Sequence, residues 1–430
     1  MIEMELLMYT EKRSKGNVIL CGLTLGLMVL HFGLFDASPM NPIGIKYVQE
    51  LYMAICLGFA AFLIAGSPKG RKAEYNALLS FCLFMTFMFV VMPAVFSMLY
   101  YGQPFQYGLI EERRVLMCFS AFWLLFAAHR MSAAQFERLI LSTAMVAVVL
   151  SWLAFKEITP ELRDLDGSHD QSRPGRALIG AEALVIGFCM CVYYWHTGKS
   201  MIDGSKRSGM IYIGLAVLFF MTLVFVTQTR QLLLVCLVFS ILTLKLRFVK
   251  FGVVGVLVAL PFYLNPELLL HLGVSLDFYM QVVEEGVQDN VRENTVGQIL
   301  KHLDTNMWLP SGSLSLMWNG GFKPHFGDYF FLSDVGVVGT LFRFGFLSAV
   351  VIPMGLYAYW VTAKRLSRDM HFTVAMFLSF LTIWPLQGMF EYLQTVTATL
   401  FVFQALKTWH RKTVLQAVHH ANYSQRLAPN

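Results

Sequence analysis

Long apolar runs broken by short polar ones set the character of this chain. A membrane-crossing helix needs roughly 20 predominantly apolar residues. Twelve runs approach that length: 18–36, 47–66, 77–101, 108–128, 139–155, 177–196, 210–228, 231–246, 251–264, 335–361, 371–388 and 393–408. The pattern predicts an all-α polytopic membrane protein with about 12 transmembrane helices. Arg343 and Gly345 interrupt the tenth run, which reads as a short re-entrant piece followed by a full helix. The expected organisation is helices 1–9 with short loops over 1–264, one large polar loop over 265–334, helices 10–12 over 335–408, and a basic tail over 409–430. Inside the large loop, Val291, Thr295, Ile299, Leu300 and Leu303 recur at helical spacing. They predict an amphipathic helix across the mouth of the bundle. Trp308-Leu309-Pro310-Ser311-Gly312 reads as a turn.

Composition agrees with the pattern. Hydrophobic residues make up 57% and charged residues 14%, against about 25% charged in soluble domains. The seven cysteines all fall inside apolar runs, so no disulfide framework is implied. Basic residues collect in alternate loops: Lys12, Arg13 and Lys15; Lys69, Arg71 and Lys72; Arg130 and Arg138; Lys199, Lys206 and Arg207; Lys245, Arg247 and Lys250; Lys364, Arg365 and Arg368; then Lys407, Arg411, Lys412 and Arg426. By the positive-inside rule these loops are cytoplasmic, as are both termini. The first run lacks a small-residue cleavage site and is expected to stay as a helix. The net charge of +6 therefore belongs to short inner loops and is no nucleic-acid signal.

The sequence has no GxxxxGK[ST] phosphate loop, no GxGxxG, no HExxH and no CxxC pair. Chemistry-bearing residues gather instead at the outer boundary. Arg173 and Arg176 precede the sixth run, and Arg230 sits in the polar pinch Thr227-Gln228-Thr229-Arg230-Gln231. A guanidinium offers phosphate two parallel hydrogen bonds and stays charged. Equally, an arginine at a span end can be a snorkelling anchor or be satisfied by backbone carbonyls. His325, Asp328 and Asp334 close the large loop, where an imidazole could take a proton from a hydroxyl or simply bond a loop carbonyl. Arg292 opens the amphipathic helix beside Glu293, and a plain salt bridge there is the simpler reading. Glu182 lies inside the sixth run, either paired with an arginine or lining a cavity; Glu391 and Tyr392 occupy the last outer turn.

The order of these residues resembles the O-antigen polymerase (Wzy) and O-antigen ligase superfamily of bacterial membrane glycosyltransferases. Arg176 with Ala177-Leu178-Ile179-Gly180 resembles that family's Arg-x-x-x-Gly at a central span, and Thr229-Arg230 its Ser-Arg turn. Pro324-His325 with Tyr329 and Leu332, then Asp334-Val335-Gly336-Val337-Val338-Gly339, resembles its His-Asn-x-Tyr-Leu and Glu-x-Gly-x-x-Gly signature. Phe326 stands where the family has Asn, and Asp334 where it has Glu. The likeness covers about Arg173 to Gly345.

The resemblance implies a GT-C-like fold and a metal-independent transferase of the bacterial inner membrane, with no cofactor. The donor would be an oligosaccharide on undecaprenyl diphosphate, and the acceptor another lipid-linked repeat, with a chain-length regulator as a further partner. By carry-over, Arg176, Arg173, Arg292 and Tyr329 would bind substrate, and His325, Arg230, Asp328 and Asp334 would act in catalysis. The alternative within the same chemistry is a ligase moving glycan to lipid A-core. A transporter or flippase of lipid-linked or anionic solutes is the reading from another class, and it predicts charged residues at the bilayer midplane.

Overall fold

The computed structural model describes residues 17–34, 48–66, 72–159, 176–243, 290–327 and 330–427. Of the candidate site residues, Arg173, Asp328 and Tyr329 lie outside the described residues, as do the ninth apolar run, residues 265–289 of the large loop and the basic residues Lys12, Arg13, Lys15, Lys69, Arg71, Lys245, Arg247 and Lys250. The described residues are helical, with a lone antiparallel bridge between Lys199 and Lys206. Helix α1 spans Asn17–His31 and α2 Val48–Gly66; α3 spans Ala73–Tyr101. The chain returns through α4 (Phe105–Glu111), a 3-10 segment (Arg113–Phe119) and α5 (Ser120–Ala128). There follow α6 (Ala133–Phe155), α7 (Ala181–Thr197), α8 (Gly209–Thr227) and α9 (Arg230–Thr243). The second half holds α10 (Asn290–Thr305), α11 (Gly336–Phe344), α12 (Ser348–Leu366), α13 (His371–Leu381) and α14 (Gln394–Leu427).

Five of the described helical stretches are long and apolar enough to cross a membrane: α2, α3, α6, α8 and the stretch Leu332–Leu366 that includes α11 and α12. Helices α1, α9 and α13 are apolar but shorter. The run expected at 108–128 is not one helix. The charged quartet Glu111-Glu112-Arg113-Arg114 falls inside it, and the backbone there tightens to 3-10 turns. The tenth run divides at Gly345 into a short helix and a full one. Helix α14 runs through residue 408 to Leu427, since neither Gly nor Pro interrupts that stretch.

Helix α7 is the axis of one half of the bundle. Residues Ala183 to Val192 are all buried, among them Cys189 and Cys191, and α7 packs on α6, α8 and α9. Two of the long spans carry a π turn. A π turn at Phe87–Val91 precedes Pro93, which has no N–H to give, and a second at Leu223–Thr227 leads into Gln228 at φ +47°.

Polar contacts sort the molecule into two ends. At one end Arg207 bonds Glu137 at 2.9 Å, Ser200 bonds the same carboxylate at 2.5 Å, and Lys407 meets Asp369 at 2.6 Å. His129 lies 3.6 Å from Glu74, and Lys412 lies 4.0 Å from Glu74. Each pair joins segments that the charge pattern assigns to a single side. At the other end Arg113 pairs with Glu50 at 3.0 Å, and the large loop docks on the tips of α3, α4 and α11. Here Gly336 is required: at φ +43° a Cβ would meet the Trp384 carbonyl oxygen at 1.7 Å, where Val337 N donates at 3.0 Å.

Gly336→Ala should therefore destabilise the protein by about 2 kcal/mol or more. Gly22→Ala in α1, where nothing lies within 4 Å, should be neutral or slightly stabilising. Thermal unfolding of both variants in detergent checks this contrast.

Candidate functional site

The loop end of the bundle gathers the residues with chemistry. Helix α8 ends in its π turn, and Gln228 adopts a left-handed conformation that turns the chain into α9. Arg176 is fastened to that turn: its Nε donates to the Thr227 carbonyl at 3.1 Å, and Ala177 N donates to Val226 O at 3.1 Å. Arg176 is thus tied to a turn that carries Arg230 three residues further on, and both arginines are half-buried. Two stretches over 50 residues apart in sequence meet here.

Helix α10 seats the large loop. Ile299 and Leu303 are fully buried against Phe330, Leu332, Val335 and Phe342. Leu300, expected on that apolar stripe, is exposed; a stripe of Thr295, Ile299 and Leu303 at four-residue steps already covers the partner face. Arg292 Nε donates to the Asp334 backbone oxygen at 2.8 Å, so Arg292 clamps the turn that leads into α11. The Asp334 carboxylate accepts from Ser333 at 3.0 Å and is exposed.

His325 lies in the short helix Lys323–Phe326, exposed, with its ring 4.9 Å from that of Tyr101. Its placement comes from α3 and the loop, not from the turn that orders Arg176 and Arg230. Beside it is a histidine that sequence reasoning passed over. His302 Nε2 is 2.9 Å from Ser311 Oγ, and Nδ1 is 3.1 Å from Asn306 Nδ2. Asn306 Nδ2 also donates to the His302 carbonyl at 2.8 Å, which fixes the amide orientation. Nδ1 is therefore the acceptor and Nε2 carries the proton, so His302 donates to Ser311 and does not activate it. Burial, then the neighbouring His325, lowers the pKa of His302 and favours this neutral form.

The most heavily bonded group was not foreseen as a group. Arg343, at 2% exposure, donates from Nε to Glu112 at 2.8 Å and to Ser313 Oγ at 2.9 Å, and from Nη2 to the Tyr392 hydroxyl at 3.3 Å. Its Nη1 lies 3.6 Å from Glu391 Oε1. Ser313 donates to Glu112, and Gln103 Nε2 donates to Ser313 O at 3.0 Å while its Oε1 accepts from Ser315 N at 2.8 Å. Ser311 N and Gly312 N donate to Phe342 O and Arg343 O. A Cβ on Gly312 would meet Pro93 O at 2.2 Å, so the loop presses directly on α3. Each member had a visible sequence signal: a charged quartet in one apolar run, an arginine in another, an acid in the last outer turn. Their convergence had none.

A second buried polar chain lies one turn along α14. Thr395 donates to Glu182. His31 Nε2 contacts Thr395 O at 3.1 Å and Thr399 Oγ1 at 3.0 Å, and its Nδ1 is 2.9 Å from the Tyr52 hydroxyl. Trp123 Nε1 donates to that hydroxyl at 2.8 Å. Glu182 thus has a hydroxyl partner from α14. Outside these networks, an apolar cavity of about 360 Å³ opens between Trp308 and the start of α12, lined by Leu341, Phe346 and Ile352 among others. Among the described residues no group of three or more His, Cys, Asp or Glu is placed to hold a metal ion. No known family model, curated protein or solved structure matches this chain.

Removing one partner of a buried charge cluster leaves the others unpaired in low dielectric. Arg343→Ala should cost about 3–5 kcal/mol, whereas Glu50→Gln at the half-exposed Arg113 pair should cost under about 1 kcal/mol. Unfolding midpoints in detergent, measured side by side, check the difference.

Proposed function

We propose that this chain is a membrane glycosyltransferase that joins oligosaccharide repeat units carried on a polyprenyl diphosphate, at the face of the bacterial inner membrane away from the cytoplasm. The observation that carries the reading is the fastening of Arg176 to the α8–α9 turn that bears Arg230. Two guanidiniums at one membrane face suit a diphosphate, whose oxygens take paired hydrogen bonds and whose growing charge needs a fixed cation. The apolar cavity beneath Trp308 adds a place for an isoprenoid segment.

In this reading an acceptor sugar hydroxyl attacks the anomeric carbon of the donor. The bond from that carbon to the diphosphate oxygen breaks, and the polyprenyl diphosphate leaves with the electron pair. Arg176 and Arg230 neutralise it as it departs. The hydroxyl proton passes to His325. Arg292 holds the Asp334 turn in place, and the donor already carries the energy, so orientation and charge screening suffice. The ligase alternative differs only in the acceptor.

Transport is the weaker reading because the charged cluster stands at the end of a full-length apolar helix and not within it. Helix α12 alone has 19 residues, about 28 Å of helix and enough for a hydrocarbon core of about 30 Å. Arg343 precedes it, and Glu112 and Glu391 belong to the turns at that same end.

In cells that supply the lipid-linked repeat, Arg230→Ala and His325→Ala should each lower polymer formation by about 10²-fold or more, with protein levels in the membrane unchanged. Arg230→Lys should fail as well, since a point charge does not reproduce the fork. Glycan gels read the outcome; ordinary chain lengths from either alanine variant would remove the assignment.

A further inference from the structure

Two carboxyls meet Arg343, and they do not meet it alike. Glu112 Oε1 accepts from Arg343 Nε at 2.8 Å and from Ser313 Oγ. Glu391 gets no hydrogen bond from the guanidinium: Nη1 stands 3.6 Å from its Oε1, and both Arg343 Nη1 and Glu391 Oε2 are buried without a hydrogen-bond partner. Glu391 is 1% exposed. Its carboxyl bonds Thr340, whose Oγ1 is 3.0 Å from Glu391 Oε1 and 3.3 Å from the Gly336 carbonyl. A threonine hydroxyl has a single proton. A protonated Glu391 lets the Thr340 hydroxyl accept from the acid and donate to Gly336 O; an ionised one takes the threonine proton for itself and leaves Gly336 O with its helical partner.

We propose that Glu391 is a buried proton-binding site: its carboxyl stays neutral while Glu112 alone balances Arg343, and this neutral trio seats the 308–315 loop on the bundle. The charge count supports it. Around Glu391 stand Arg343 from α11, Glu112 and the adjoining Glu111 from the broken return segment, and Tyr392 and Thr340 as hydroxyls. One cation against two ionised acids would bury a net negative charge in an apolar bundle, where an uncompensated ion is very costly. Burial first, with the repulsion of Glu112, raises the pKa of Glu391 against the opposing pull of Arg343, of its own backbone N–H and of the Thr340 hydroxyl. The folded protein thus holds this proton more tightly than the unfolded chain does. The stability linked to it is complete below the ordinary carboxylate range and is lost as pH rises through the raised value. The loop depends on the trio because Ser313 bonds Glu112 and Gly312 N donates to Arg343 O.

The site is independent of the glycosyltransferase reading, and its test uses no substrate. The full chain and Glu391→Gln, both in phosphatidylcholine nanodiscs, are compared from about pH 5 to about pH 9. The wild-type unfolding midpoint should fall relative to the variant by about 3 °C or more toward the alkaline end. Infrared difference spectra at neutral pH should show one protonated-carboxyl carbonyl band that the variant lacks. Amide exchange in 308–315, corrected for intrinsic rates, should rise with pH in the wild type and not in the variant. Parallel midpoints across the range, or no difference band, would overturn the proposal. So would a Glu391→Gln protein that fails to fold, since glutamine keeps both the shape and the neutrality of the acid.

Discussion

A guanidinium removed from water must be met on several sides, and that requirement organises the loop end of this protein. Arg343 takes contacts from the broken return segment at Glu112, from the large loop at Ser313, and from the last turn before α14 at Glu391 and Tyr392. Nothing in an apolar bundle replaces these partners, because hydrocarbon offers neither donors nor acceptors. The cluster therefore ties together segments more than 270 residues apart in the chain. Next to Arg343 in the chain, Phe342 joins Phe322, Phe326 and Phe330 in an aromatic group with ring separations from 4.3 to 6.1 Å.

The same constraint accounts for three further bonded groups of buried polar side chains. His31 fills the space between Tyr52 and the α14 threonines with hydrogen bonds on both ring nitrogens. Glu182, costly within an apolar helix, accepts from Thr395. At the opposite end Glu137 is met by Ser200 and Arg207. Between the two ends the packing is aliphatic and aromatic, with α7 buried along most of its length. On this scaffold the α8–α9 turn carries Arg230 and is bonded by Arg176, while the loop carries His325 against Tyr101.

The sequence announced the helices and the ends better than it announced the site. Apolar run lengths marked most of the long helices, and Arg343 with Gly345 marked the break before α12. The pairing of Arg176 with Arg230 was a conjecture from motif order; what the structure shows is the Arg176 side chain bonded to the Thr227 carbonyl, three residues before Arg230. The glycines of the Asp334–Gly339 stretch have a packing reason of their own: a Cβ on Gly336 or Gly339 would run into the carbonyls of Trp384 and Leu332. His302 gave no signal, because a histidine on a polar helix looks the same in sequence whether it faces water or a buried serine.

Hydropathy and charge alternation act along the chain, so they alone determined that it is helical, apolar enough to cross a membrane several times, and polar at two ends. Which acid meets which base is settled across the fold. Glu112, Arg343 and Glu391 each carried a desolvation cost legible from sequence, but the cost of burying a charge is relieved by whatever partner tertiary packing brings within about 3 Å. That choice depends on how helices distant in sequence lie side by side, and only the tertiary structure decided it.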